Sequence, residues 1–273
     1  MLSALGLSAQ ASAEQTLTFG VVPQQSASRL AQIWVPLFDH LAEQSGKSIR
    51  FATAKDIPTF EACLAQGAYD LAYMNPYHYT TFQRLAGYEA FAKQTKKRLR
   101  GLIVVRADSD YQQLDELDEQ AIAFPSPAAF GASVIPRAEM KSRDMAIRPA
   151  YVKSHDSVYR AVIAGLFPAG GGVLRTFNNV PEAERSKLRV LYRTDAYTPH
   201  AFAAHPRVEQ ALVDQLARAM ADLSADRPAL LKALGMSGIQ PAANGDWDDV
   251  RSLNLTRKQT EIVVDEQLAC HSV

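Results

Sequence analysis

Apolar and polar positions along the chain follow two rhythms in turn. Residues 16–22 are β-branched and apolar, end at Pro23, and read as a buried strand. Leu30, Ile33, Trp34, Leu37, Phe38 and Leu41 then recur at the i, i+3, i+4, i+7 spacing of an amphipathic helix, which Gly46 stops. A second strand is predicted over 48–53, and a helix begins at Asp56 and Pro58 and ends at Gly67. Residues 71–73 make a third strand, with Asn75 as the N-cap and Pro76 as the first residue of the next helix. This β-α-β-α-β-α succession implies a mostly parallel sheet with helices on its faces.

The pattern then restarts. Strands are predicted over 99–105 and 121–124, and Ser126-Pro127 has the cap-then-proline form of a helix start. Pro136 should kink or restart that helix. Residues 149–153 read as extended, and Ser154 caps a helix running to Gly165 with Tyr159, Val162 and Ile163 inward. A short helix from Val173, strands at 188–192 and 201–204, and helices at 208–223, 228–234 and 256–268 complete the chain. Two α/β units and a helical tail predict two lobes: 14–104 with 195–273, and 105–194. The chain would cross between them near 103–106 and again near 192–200.

Length and composition permit this and narrow the function. The 273 residues are 47% hydrophobic, enough for a full core, and Lys+Arg and Asp+Glu both total 29. A balanced charge gives no footprint for nucleic acid or an anionic membrane surface, so any anion site must be local. The acidic stretch from Asp108 to Glu119 reads as a solvated surface. Residues 1–13 are apolar, small and uncharged and end in Ala11-Ser12-Ala13, the form of a secretory signal's end. The basic start of such a signal is missing, so Met1 would lie within a longer one; a disordered Ala/Ser-rich terminus is the alternative reading. Export would make the chain a soluble periplasmic protein.

Cys63 falls on the apolar side of a predicted helix, either as a small buried thiol or as one half of a disulfide with Cys270. His78, His200 and His205 have no carboxylate or cysteine at metal-ligand spacing, so no metal and no cofactor is expected. No nucleophile elbow is present, and Gly170-Gly171-Gly172 lacks the Lys-Ser/Thr of a phosphate loop and reads as a turn between strand and helix. These absences argue against an enzyme.

Ligands of open α/β sheets lie beyond the carboxyl ends of the strands, where helix N-termini offer N–H groups to an anion. Four turns meet that description, two per lobe: Pro23-Gln24-Gln25-Ser26, Met74-Asn75-Pro76-Tyr77, Ser126 to Gly131, and Ser154-His155-Asp156-Ser157. Either Tyr73 or Tyr77 would line the cleft with a phenol, and core packing is the competing reading for each.

In these turns the sequence resembles the phosphonate-binding periplasmic proteins of ABC importers and their sensor-domain relatives. The resemblance rests on Phe19 to Pro23, Tyr69 to Tyr79, Phe124 to Pro136, and Ser154 to Ser157 leading to Gly165. It implies a two-lobed type 2 periplasmic-binding fold, α/β with crossing hinge strands, that closes on a ligand for delivery to a permease. By that resemblance Gln24, Tyr73, Met74, Asn75, Tyr77, Ser126, Phe130, Gly131, His155 and Arg175 are the candidate ligand-binding residues. Two positions depart from the family. The hydroxyl-rich run after Pro127 is replaced by Ala128-Ala129-Phe130-Gly131-Ala132-Ser133, leaving mainly backbone donors. Arg175 stands near where aminophosphonate binders place a glutamate, which suits a second anionic group better than an ammonium. The expected ligand is therefore a phosphonate- or phosphite-like oxyanion or a small organic anion, bound by a monomer. The expected role is transport; a sensory protein feeding a histidine kinase is the nearest alternative, and an enzyme or a scaffold on the same fold are further ones.

Overall fold

The computed structural model describes residues 16–264 together with 267 and 270. The signal-like segment 1–13 lies outside the described residues. The chain opens with β1 (Leu17–Val21), α1 (Ala27–Ser45), β2 (Ile49–Ala52), α2 (Ile57–Ala65), β3 (Leu71–Met74), α3 (Pro76–Ala86) and β4 (Glu89–Gln94). β1 pairs in parallel with both β2 and β3. Asp56 and Asn75 cap α2 and α3 as their sequence predicts: Asp56 Oδ1 accepts from Thr59 N–H at 2.9 Å, and Asn75 Oδ1 from His78 N–H at 2.8 Å.

The second lobe holds β5 (Leu99–Arg106), β6 (Ala121–Phe124), α4 (Ile135–Ser142), β7 (Arg148–Tyr151), α5 (His155–Ile163), β8 (Ala169–Val173), α6 (Leu174–Asn178), α7 (Glu182–Arg185) and β9 (Leu188–Tyr197). Its sheet runs β7-β6-β8-β5-β9, with β5 antiparallel to both neighbours. The chain then returns to the first lobe through β10 (Ala201–Ala204), α8 (Gln210–Asp226), α9 (Pro228–Leu234), β11 (Ile239–Pro241), α10 (Asp248–Arg251) and α11 (Arg257–Thr260). This completes a six-stranded first sheet, β11-β4-β10-β3-β1-β2. The first lobe's core is dense in aromatic rings; Phe19 stacks on Phe38 at 4.4 Å, and Trp34 meets Tyr73 at 4.6 Å.

Several expectations need correction. The first crossing falls earlier than 103–106, because all of β5 is paired inside the second sheet and the polar stretch 95–98 makes the passage. The second crossing falls within the expected 192–200, as the short run 198–200 between β9 and β10. Gly170-Gly171-Gly172 is not a turn but the middle of β8. A Cβ on Gly171 would stand 1.9 Å from the Ala132 carbonyl, so the missing side chains let segment 130–134 lie directly on the sheet. The predicted 256–268 helix stops at Thr260, where Glu261 takes a left-handed conformation and the Val263 N–H turns to Glu61 Oε2 at 2.8 Å. Cys63 and Cys270 form a disulfide that ties Cys270 to α2.

Candidate functional site

The four predicted turns face one another across the gap between the lobes. Ser126 does not cap a helix. A tight turn closes there instead, with Ala129 N–H on Ser126 O at 3.4 Å and the Pro127 carbonyl held by the Arg137 guanidinium at 2.7 Å. The helix starts later, as a π-helical turn over Phe130–Val134 that runs without a break into α4, where Pro136 sits in the first turn. The opening of this segment is rich in donors. Phe130, Gly131 and Ala132 N–H groups have no acceptor among the described residues, whereas Ser133 and Val134 both bond to Ala129 O. A Cβ on Gly131 would approach Val173 Cγ1 to 2.8 Å, so any larger residue there would force the turn or Val173 to shift.

The lobes are drawn together over this turn. His155 N–H donates to the Gln24 carbonyl at 3.1 Å, and Asn75 Nδ2 donates to the Ala128 carbonyl at 3.2 Å. At the lip, Ser26 N–H reaches Asp156 Oδ2 at 3.3 Å and Asn179 Nδ2 reaches Gln25 Oε1 at 3.4 Å. Between the lobes remains a cavity of about 10 Å³ walled by Gln24, Asn75, Phe130, Gly131, His155 and His200 among others. That is about the room of one water molecule, so a larger ligand must enter with the lobes apart.

A polar relay runs along one wall. The Arg175 guanidinium donates to Gln24 Oε1, which leaves the Gln24 amide nitrogen facing His200 Nε2 at 3.3 Å. Arg175 also lies 5.5 Å above the Tyr73 ring, and Tyr73 stacks on His200 at 5.0 Å. Burial, aided by the Arg175 charge, pushes His200 well below the usual histidine range and His155 down to about 3. Both imidazoles therefore enter the site as neutral hydrogen-bonding rings. His155 is oriented through Nδ1, 3.0 Å from Thr176 Oγ1, which in turn contacts the Tyr159 hydroxyl at 2.7 Å.

Of the candidate residues, Gln24, Asn75, Phe130, Gly131 and His155 wall the cavity, and Tyr73 and Arg175 flank it through the relay. Three lie elsewhere. Met74 is fully buried in the first lobe's core, because neighbours along a strand point to opposite faces and Tyr73 takes the other one. Tyr77 turns to the C-terminal segment, its hydroxyl 3.0 Å from Thr260 Oγ1. Ser126 Oγ is buried with no partner among the described residues and is not part of the cavity wall. His200 was weighed only as a metal ligand; its position just before β10, at the second crossing, was the available signal. Val22, Ile57, Ala129, Ala132 and Val173 complete the wall and carry no side-chain chemistry that a motif could flag.

Two α/β lobes joined by two crossings, with buried polar groups and free backbone donors converging between them, define a solute-binding protein of the periplasmic type. The sequence matches the family described as "ABC transporter, phosphonate, periplasmic substrate-binding protein" over residues 19–247, and the chain belongs to that family. Its members are the substrate-binding components of importers and work with a permease, which favours transport over the sensory alternative. The phosphate-import protein PhnD of Mycolicibacterium smegmatis is 23% identical over 231 residues, 74% of this chain and 70% of that protein. The binding protein component of an ABC phosphonate transporter from Pseudomonas aeruginosa superposes with a TM-score of 0.82 at 14% identity, covering 94% of this chain and 91% of that one. PhnD1 of Prochlorococcus marinus, in complex with methylphosphonate, superposes with a TM-score of 0.80 at 15% identity, covering 89% and 99%. None of the described helices is long and apolar enough to cross a membrane.

Proposed function

We propose that the interlobe cleft captures a small phosphorus oxyanion, of the phosphonate or phosphate type, for an ABC importer, without catalysis. The observation that carries this reading is the run of three unpaired N–H groups at Phe130, Gly131 and Ala132, at the start of a helical segment whose residues wall the closed cleft. Neutral His155 and the Asn75 amide supply uncharged hydrogen-bonding groups beside them, and Phe130 keeps the wall apolar. The relatives named for phosphate import and for a methylphosphonate complex support the same ligand class. Arg175 argues against 2-aminoethylphosphonate, because its guanidinium reaches Gln24 at the cleft wall and would oppose an ammonium. We read the chain as a periplasmic monomer exported by the signal-like segment 1–13.

A thermal-shift panel of methylphosphonate, phosphate, phosphite, 2-aminoethylphosphonate, acetate and sulfate tests this. A ligand that binds only the folded chain at about 100 times its Kd adds about 2.7 kcal/mol. Methylphosphonate or an inorganic phosphorus oxyanion should give the largest shift. A larger shift with acetate or 2-aminoethylphosphonate overturns the assignment.

A further inference from the structure

A second cavity, of about 80 Å³, lies at the hinge behind the cleft. Five cations line it: Lys97 and Arg98 on the first crossing, Arg100 on β5, Arg175 on α6 and Arg193 on β9. No carboxylate is among its lining residues. Arg98 is answered by Asp249 at 2.7 Å, and Arg100 donates to the Thr194 carbonyl at 2.8 Å. Lys97, Arg175 and Arg193 have no acidic partner among the described residues. The wall also includes Gln94, whose Nε2 is buried with no hydrogen-bond partner among the described residues. A chain with no net charge has therefore gathered cations and a spare amide donor around one small space, an arrangement that focuses positive potential on whatever enters it.

The space adjoins the cleft. Val173 and His200 wall both cavities, and Arg175 passes from the hinge side to Gln24 on the cleft side. Gln24 Oε1 there occupies the place of an acceptor on the guanidinium fork, and a ligand carboxylate would be a better one because the hydrogen bonds become charge-assisted.

We propose that the hinge cavity receives the second anionic group of a bis-anionic ligand. Its phosphonate head sits on the Phe130 to Ala132 N–H groups, and a carboxylate or phosphate a few bonds away displaces Gln24 from Arg175 and sits among Lys97 and Arg193. The ligand class is then phosphonocarboxylates and related bis-anions. This rests on the cleft reading above for the head group. Because Lys97 lies on a crossing and Arg193 on the second lobe, such a tail would also tie the hinge to the closed arrangement.

Calorimetric titration of the full chain with methylphosphonate and with 3-phosphonopropionate tests the proposal, in the wild type and in the Lys97→Gln/Arg193→Gln double variant. The wild type should bind 3-phosphonopropionate about tenfold or more tighter than methylphosphonate. In the double variant the ratio of the two affinities should fall toward one. Equal affinities in the wild type, or a ratio unchanged in the variant, overturn the hinge subsite while leaving the head-group reading standing. Failure of both compounds to bind overturns the cleft reading, and the hinge subsite with it.

Discussion

His155 N–H, on the second lobe, donates to the Gln24 carbonyl of the first lobe at 3.1 Å. The backbone of one ligand-site turn thus closes directly on the backbone of another, and the side chains around this bond set how readily the lobes part. Asp156, the next residue along α5, is one of them, its carboxylate 3.3 Å from Ser26 N–H at the lip. Asp156→Ala removes the Ser26 N–H bond and the contact with the Gln25 side chain, each interlobe hydrogen bond typically contributing about 0.5–1.5 kcal/mol net. Methylphosphonate affinity should therefore fall by about twofold or more with the fold intact, as calorimetry beside circular dichroism will report. An unchanged affinity would mean that the lip does not contribute to closure.

Asn75 has two tasks, capping α3 and donating to Ala128 across the cleft. Asn75→Ala should lower stability by about 1–2 kcal/mol from the cap alone. It should also weaken ligand binding more than Asp56→Ala, which removes the α2 cap and the Thr59 hydroxyl's partner but no hydrogen bond across the cleft. Denaturant melts paired with titrations separate the two effects.

Gly171 lets the donor turn rest on β8. Gly171→Ala would place its Cβ 1.9 Å from the Ala132 carbonyl, so the turn must lift or the strand must bend. Such overpacking typically costs about 1–3 kcal/mol. The variant should unfold at a lower temperature and lose ligand-induced stabilisation even where it remains folded.

The disulfide joins Cys63 of α2 to Cys270 across a sequence separation of 207 residues. Cys63→Ser/Cys270→Ser should cost about 2–5 kcal/mol. Ligand affinity should stay the same, since neither cysteine walls the cleft. Intact-mass analysis after alkylation without reductant should find no free thiol in the wild type.

His155 gives stability a pH dependence of fixed sign. Its folded value, about 3, lies below the unfolded value near 6.5, so between these limits the unfolded chain binds the extra proton. The stabilising contribution is full above about pH 6.5 and is lost as pH falls toward 3. His200 acts in the same direction. The melting temperature should therefore drop between pH 6.5 and pH 4, and His155→Gln should flatten that drop.

The lobes, most strands and three of the four ligand-site turns were legible because they rest on local signals: apolar runs, helical spacing and Asx or Ser caps. The elements that were not legible are those whose cause is tertiary. β8 is an Ala-Gly-Gly-Gly-Val strand that exists because a neighbouring backbone must approach it, and nothing in its own composition favours a strand. β11 is three residues that gain order only by pairing with β4. Ser126 carried a cap-like signal, but the competing turn at Pro127-Ala128 moved the helix start to Phe130. At the site, the resemblance pointed to residues by position along the chain, and strand alternation separates two of them: Tyr73 lines the hinge cavity beside Arg175 and His200, and Met74 lies in the first lobe's core. His200 reaches the site because β10, which it precedes, pairs with β3, a tertiary contact with no local signal.

Titration calorimetry of methylphosphonate into the folded chain is the most direct test of the central claim. Saturable binding at one site per chain is expected, with a Kd of about 10 μM or tighter, lost when Gly131→Val drives a side chain into Val173 and displaces the donor turn. Absence of saturable heat at millimolar methylphosphonate, or binding that persists in Gly131→Val, would contradict it.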